Sequence, residues 1–284
     1  MLIYYVNSTK MNLQKNIAKG GIQMIIIEKI NIKDVPVLHI VAQENIDKPL
    51  PFIQFIHGFT SAKEHNLHFA YNLAEKGFRV VLPDAMYHGE RDTGLTGMKL
   101  NLQFWDIVLK TIEEIELIKN YFESKKLIQI GQIGLVGTSM GGIVTLGALS
   151  RYPWINTAVC LMGMPYYEQF ANYTIQEVKE RGYDVPLTEA EINNLLQKLR
   201  ELDLSKQPEK LDNRPLMFWH GKKDEVVPYK YSRQFYESIL PLYEETPENL
   251  FYITEENTGH KVSRKAMLKT IDWFTEFLQA DKAL

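Results

Sequence analysis

The chain is short of several features, and each absence narrows what it can be. It has one cysteine, Cys160, so no internal disulfide can form and no cysteine-based metal spacing exists; a reducing, cytoplasmic setting is expected. Lysine and arginine nowhere cluster, and 32 basic against 35 acidic residues leave a formal net charge of -3, so the electrostatic footprint of a nucleic-acid binder is missing. No stretch reaches the roughly 18 consecutive apolar residues of a membrane span. Residues 1–23 contain Lys10, Lys15 and Lys19 but no apolar stretch of the signal-peptide kind, so nothing argues for export. There is no internal repeat and no low-complexity segment. The expected partner is a small molecule, with a homodimer left open.

What is present is an ordinary globular composition, 45% hydrophobic and 24% charged over 284 residues, which leaves ample apolar surface for a core. Ile25–Ile32 and Val35–Val41, on either side of Lys33-Asp34, read as an opening antiparallel hairpin. Short, almost wholly apolar runs follow at Phe52–Ile56, Phe78–Leu82, Ile133–Val136, Thr157–Met162, Leu216–Trp219 and Leu250–Ile253. Continuous apolarity, rather than alternation, marks strands buried on both faces. Helical patterns lie between them at about 64–76, 101–124, 140–151, 230–240 and 262–279. The alternation predicts an α/β fold: a doubly wound, mostly parallel sheet with helices on both faces, preceded by the hairpin. From Met164 to about Asn213 the rhythm stops, and helical patterns near 166–181 and 188–202 predict a helical cap inserted in a single domain spanning 24–284. Because Met24 directly precedes the first strand-like run, residues 1–23 read as an N-terminal extension.

One motif carries chemistry. Gly137-Thr-Ser139-Met-Gly141 stands directly after a buried-strand pattern and before a helical one. A G-x-S-x-G turn in that context lifts its serine out at the sheet's C-terminal edge. A serine hydroxyl is a weak nucleophile at neutral pH and needs a base, oriented in turn by a third group. Asp224 follows an apolar strand at the same edge, with neighbouring Glu225 as a substitute acid; His260 follows the last strand and precedes the last helix. The candidate catalytic set is therefore Ser139, Asp224 and His260, against the plainer readings of a capping serine, a turn aspartate and an exposed histidine.

Negative charge developing on a carbonyl oxygen calls for prealigned N–H donors. Met140, just after the serine, supplies one; Phe59 in His57-Gly58-Phe59-Thr60 is the choice for the other, with Thr60 second, and His57 reads as a structural residue beneath the site. In the loop Pro83–Asp92, Asp84, His88 and Arg91 either brace the loop or bind a polar substrate group. Trp105, Met164 and Tyr166 are candidates for the substrate wall, with Trp219 a further aromatic. His65 and His68 stand at helical spacing without a visible third ligand, so neither a metal nor another cofactor is expected.

Taken together, His57-Gly-Phe, Pro83-Asp-x-x-x-His-Gly-Glu-Arg, Gly137-Thr-Ser-Met-Gly-Gly, His220-Gly-x-x-Asp-x-x-Val-Pro and Gly259-His260 resemble the small bacterial carboxylesterases of the α/β-hydrolase superfamily, in the branch related to prolyl oligopeptidase and dienelactone hydrolase. The resemblance spans about residues 50–275. It implies a cofactor-free cytoplasmic hydrolase of short acyl esters that works through an acyl-enzyme. It carries Ser139, Asp224 and His260 into the triad, and Phe59 and Met140 into the oxyanion hole. Two features depart from the branch: no propeller domain accompanies the chain, and Ser139 stands where dienelactone hydrolases use cysteine. A small peptidase or acylaminoacyl hydrolase, a thioesterase, or a lactonase or haloperoxidase-like enzyme would use the same residues. Outside enzymes, a binding protein could keep the fold without the chemistry.

Overall fold

A computed structural model describes residues 23–180, 182 and 187–278; the expected N-terminal extension thus lies, all but Gln23, outside the described residues. The chain opens with β1 (Ile25–Ile32) and β2 (Val35–Ala42), paired antiparallel through a turn in which Lys33 takes a positive φ of 53°. It continues through β3 (Leu50–Ile56), α1 (Leu67–Glu75), β4 (Arg79–Pro83), α2 (Gly97–Asn101), α3 (Phe104–Ser124), β5 (Ile128–Thr138), α4 (Met140–Arg151) and β6 (Thr157–Leu161). After α5 (Tyr167–Glu180) and α6 (Glu189–Leu202) the sheet resumes with β7 (Leu216–Gly221), α7 (Tyr229–Ile239), β8 (Leu250–Glu255) and α8 (Arg264–Leu278).

All eight strands form one sheet in the order β1-β2-β4-β3-β5-β6-β7-β8. β2 meets both β1 and β4 antiparallel, and every pairing from β4 to β8 is parallel. The continuous apolar runs are explained by what covers the two faces. Along β7, Leu216 and Phe218 join a layer with Val108, Ile112, Ile143 and Phe235, while Met217 and Trp219 join another with Phe69, Leu73, Ile271 and Phe274. Successive side chains point to opposite faces of a strand, and here each face meets helices rather than water.

Two boundaries differ from the sequence reading. The helical pattern at 101–124 is broken at Leu102-Gln103 into α2 and α3. β5 starts five residues early because Ile128 pairs with Leu50, and a register shift then precedes the Phe52–Ile133 pairing. That early part carries no apolar run, and Ile130 stands 96% exposed. Among the described residues no helix is long and apolar enough to cross a membrane.

Candidate active site

β5 ends and α4 begins around Ser139, whose backbone is held at φ 55°, ψ -116°, a region costly for a residue with a side chain. The strained geometry is pinned on both sides: the Ser139 N–H donates to Leu161 O at 2.9 Å and its carbonyl accepts from the Ile143 N–H at 3.0 Å. The flanking glycines follow from close approach. A Cβ at Gly137 would lie 2.1 Å from Gly141 O, and one at Gly141 would lie 2.0 Å from Ile56 O. Only hydrogen fits at either position, so the turn can press against β3 and expose the hydroxyl.

His260, in the loop between β8 and α8, places Nε2 2.8 Å from Ser139 Oγ and Nδ1 2.7 Å from Asp224 Oδ2. Asp224 is buried, while Glu225, the substitute acid, is exposed. Burial pushes the Asp224 carboxyl upward, but hydrogen bonds from His220, His260 and the Val227 N–H outweigh it and hold the group well below the usual carboxylate range. An ionised Asp224 fixes the proton of His260 on Nδ1 and leaves Nε2 to accept from the serine hydroxyl. The loops bearing acid and base are stitched together, with the Lys222 N–H on Glu255 O at 2.9 Å and the Lys223 N–H on Thr258 O at 3.0 Å.

The Phe59 and Met140 N–H groups donate to no protein acceptor among the described residues, and both residues line the same cavity as Ser139. A Cβ at Gly58 would sit 3.4 Å from Ser139 Cβ, so the Phe59 loop runs alongside Ser139. Thr60, the second choice, is already committed: its N–H donates to His88 Nε2 at 2.9 Å. His57 is fully buried, its Nε2 accepting from the Ala85 N–H at 3.0 Å and its Nδ1–H donating to Gly58 O at 2.7 Å. Burial pushes its imidazole down to about 4. It is a neutral brace beneath the Phe59 loop.

The cavity beside Ser139 has a volume of about 290 Å³. Of the five residues expected at the substrate wall, only Trp105 lines it. The other four are corrected by what they touch. Arg91 forks onto Glu114 at 2.8 and 3.0 Å and reaches Asp84 O at 3.1 Å. His88 spends Nε2 on Thr60 and Nδ1–H on Met86 O at 2.8 Å. Met164 is buried in the core, and Tyr166 packs against Tyr231 and Phe235. Trp219 is fully buried, its indole Nε1–H directed to Glu255 at 3.1 Å. Asp84, the remaining candidate of that loop, accepts from the Lys63 N–H, the Lys63 ammonium and the Glu90 N–H.

The sequence reading missed the other side of the wall. Phe170, Thr174, Ile175 and Val178 of α5, with Phe104 of α3 and Leu195 of α6, close the cavity, and among the described residues no charged side chain lines it. The available signal was the i, i+4, i+5, i+8 spacing of Phe170, Thr174, Ile175 and Val178 along α5, a mostly apolar stripe beside the buried Tyr167 and Ala171. His65 bonds to Ser61 Oγ at 3.0 Å, and among the described residues no group of three or more His, Cys, Asp or Glu side chains could hold a metal ion.

Residues 51–181 match the family described as the alpha/beta hydrolase fold. The chain is 53% identical over 255 residues to "Putative esterase YitV" of Bacillus subtilis, covering 90% of this chain and all of that protein. It is 31% identical over 260 residues to "Esterase YjfP" of Escherichia coli, again covering 90% of this chain and all of that protein. Among solved structures, TT1662 from Thermus thermophilus superposes with a TM-score of 0.71 at 20% identity, over 90% of this chain and 99% of that one.

Proposed function

The chain belongs to the α/β-hydrolase fold family, and from that premise we propose that it is a carboxylesterase-like serine hydrolase acting on small-molecule esters, with Ser139 as nucleophile, His260 as base and Asp224 as orienting acid. The observation that carries this reading is the line from Ser139 Oγ to His260 Nε2 at 2.8 Å and from His260 Nδ1 to Asp224 at 2.7 Å. Ser139 Oγ attacks the ester carbonyl carbon while Nε2 takes its proton. The resulting oxyanion is held by the N–H groups of Phe59 and Met140. Collapse expels the alcohol, which receives that proton from the imidazolium. Water, deprotonated by the same nitrogen, then attacks the acyl-enzyme and releases the acid.

The segment 164–213 acts as the cap, its α5 and α6 closing an apolar chamber over the serine. A cavity of about 290 Å³ is roughly twice the 150 Å³ that encloses benzene in an engineered apolar site, so uncharged acyl or alkyl groups of medium length fit it. Cys160 is buried with its thiol pushed up to about 12 by desolvation, which suits an inert core residue of a cytoplasmic enzyme. The deciding experiment is a p-nitrophenyl ester series from acetate to decanoate on the native protein and on Ser139→Ala, beside p-nitroanilides. Ester turnover that vanishes in a folded Ser139→Ala variant is expected; turnover that persists there, or anilide cleavage in place of ester cleavage, would remove this reading.

A further inference from the structure

Asp224 meets a second histidine. His220 is fully buried on β7, an ionisable side chain in an otherwise apolar strand. A buried polar ring is costly unless its nitrogens are satisfied, and here the partners fix where the protons sit. His220 Nε2 lies 2.8 Å from Val227 O, an atom that can only accept, so Nε2 carries hydrogen. The same edge of the ring faces Asp224 Oδ2 at 3.2 Å. Nδ1 of the neutral ring must then accept, and Ser232 Oγ stands 2.7 Å from it. Ser232 Oγ in turn lies 2.7 Å from the Tyr252 hydroxyl. Burial pushes that phenol up, so it keeps its proton as a donor. Ser232 Oγ also lies 3.1 Å from Tyr229 O, a longer contact than either side-chain partner. The donors therefore run in one direction, from Tyr252 to Ser232 to His220, whose single Nε2–H is directed at Val227 O at 2.8 Å and lies beside Asp224 Oδ2 at 3.2 Å.

We propose that His220 is a positioning residue of the hydrolytic site, held in its Nε2–H tautomer by Ser232, Tyr252 and Val227 O, and that the polarised Nε2–H edge it keeps 3.2 Å from Asp224 Oδ2 sets how strongly the carboxylate draws on the proton of His260. The inference rests on the triad reading above. Asp224 Oδ2 is shared between two imidazoles, and Oδ1 is occupied by the Val226 and Val227 N–H groups, both at 2.9 Å. Withdrawing the His220 donor leaves more negative charge on Oδ2, which strengthens the hydrogen bond from His260 Nδ1–H and favours the imidazolium over the neutral ring that must accept the serine proton. Other ionisable groups on the surrounding elements include Tyr229 and Arg233 of α7, Glu255 of β8, Lys265 of α8, and Lys222, Lys223, Glu225 and Lys261 of the loops. Arg233 pairs with Glu237, Lys222 with Glu256, and Glu255 receives Trp219, Thr258 and Ser263.

The test compares His220→Leu with His220→Gln, whose amide places an N–H where the imidazole has Nε2. The acid limb of the kcat/KM profile should move to higher pH by about one unit in His220→Leu, the order that one hydrogen bond to a charged group can supply. It should return to the wild-type position in His220→Gln. Ser232→Ala should shift it the same way by less, which keeps the inference testable if His220→Leu fails to fold. In the absence of substrate, the most downfield proton resonance, that of His260 Nδ1–H, should move further downfield in His220→Leu and Ser232→Ala. An acid limb and a resonance that stay in place, with turnover falling only as melting temperature falls, would reduce His220 to a packing residue. The resonance is read without turnover, so it judges this inference even if Ser139→Ala had removed the nucleophile reading.

Discussion

The loops after β4 and β7 leave buried strands at the same edge of the sheet, and each carries a buried aspartate, Asp84 in one and Asp224 in the other. Their carboxylates are used differently. Asp84 is enclosed by the Lys63 N–H, the Lys63 ammonium and the Glu90 N–H, and Lys63 itself is only 1% exposed. Asp224 has one oxygen filled by the Val226 and Val227 N–H groups, while the other faces the His260 ring, which keeps 21% of its side chain exposed. A carboxylate surrounded by immobile donors braces a loop. One with an oxygen that meets a partly exposed imidazole can act through that ring on whatever enters the cavity.

The largest expected effect separates the two aspartates. Asp224→Asn should lower kcat by about 10⁴, the size of loss that follows removal of the orienting acid of a serine hydrolase, while the protein stays folded by circular dichroism. Asp84→Asn should do the reverse. It leaves the buried Lys63 charge undercompensated, with only Glu90 and Glu64 remaining, which costs on the order of 3 kcal/mol in urea unfolding and leaves kcat of the folded fraction unchanged. Turnover lost in Asp84→Asn at full stability would place the β4 loop in the catalytic site and erase the contrast.

A pair of glycines sharpens the same comparison at smaller magnitude. A Cβ at Gly221 would meet Thr258 O at 2.3 Å and Gly259 O at 2.6 Å, so Gly221→Ala must push away the segment that holds His260. A displacement near 1 Å in a catalytic group can cost about 10²-fold in rate, and that is the expected fall in kcat. Gly89 has φ +55°, and its Cβ would lie 2.1 Å from Asp84 Oδ1. Gly89→Ala should therefore destabilise by about 2 kcal/mol through strain and loss of the Asp84 contacts, with kcat retained. Steady-state kinetics and urea melts on both variants decide; equal kinetic losses would mean that the two loops are mechanically one.

The difference between the loops was only half legible in the sequence. The strands were readable because apolar runs covered on both faces leave a local mark, and the Ser139 elbow because Gly137 and Gly141 are demanded by backbone contact within the motif itself. Asp224 and His260 followed from their places after β7 and β8. Bracing is different in kind. That Arg91 ends on Glu114 and His88 on the Thr60 N–H depends on α3 and the β3 loop arriving from elsewhere in the chain, and local pattern carries no trace of it. The same holds for α5, whose apolar stripe looks like any core-facing helix face until the fold shows that a cavity, rather than another element, lies opposite Ile175 and Val178.

The smallest effect expected is a pH dependence confined to the braced side. Burial pushes His57 down to about 4, and burial also lowers His39 and His88. An unfolded histidine titrates near 6.5. Between about 6.5 and 4 the unfolded chain therefore binds a proton at His57 that the folded chain refuses, so stability is full above this window and falls as pH drops through it. At pH 5.5 His57 alone should account for about 1 kcal/mol relative to pH 7.5. Asp224 contributes nothing in this window: its folded carboxyl is held low, so its share is present above an unfolded value near 3.9 and is lost only below it. Urea unfolding at pH 7.5 and 5.5 should show the loss in the native protein, and His57→Gln should show it reduced, because glutamine can still accept from the Ala85 N–H but does not titrate. A stability that stays flat or rises on acidification would mean that His57 gains a proton without unfolding, and the Phe59 loop would then rest on a charged imidazole rather than on a neutral brace.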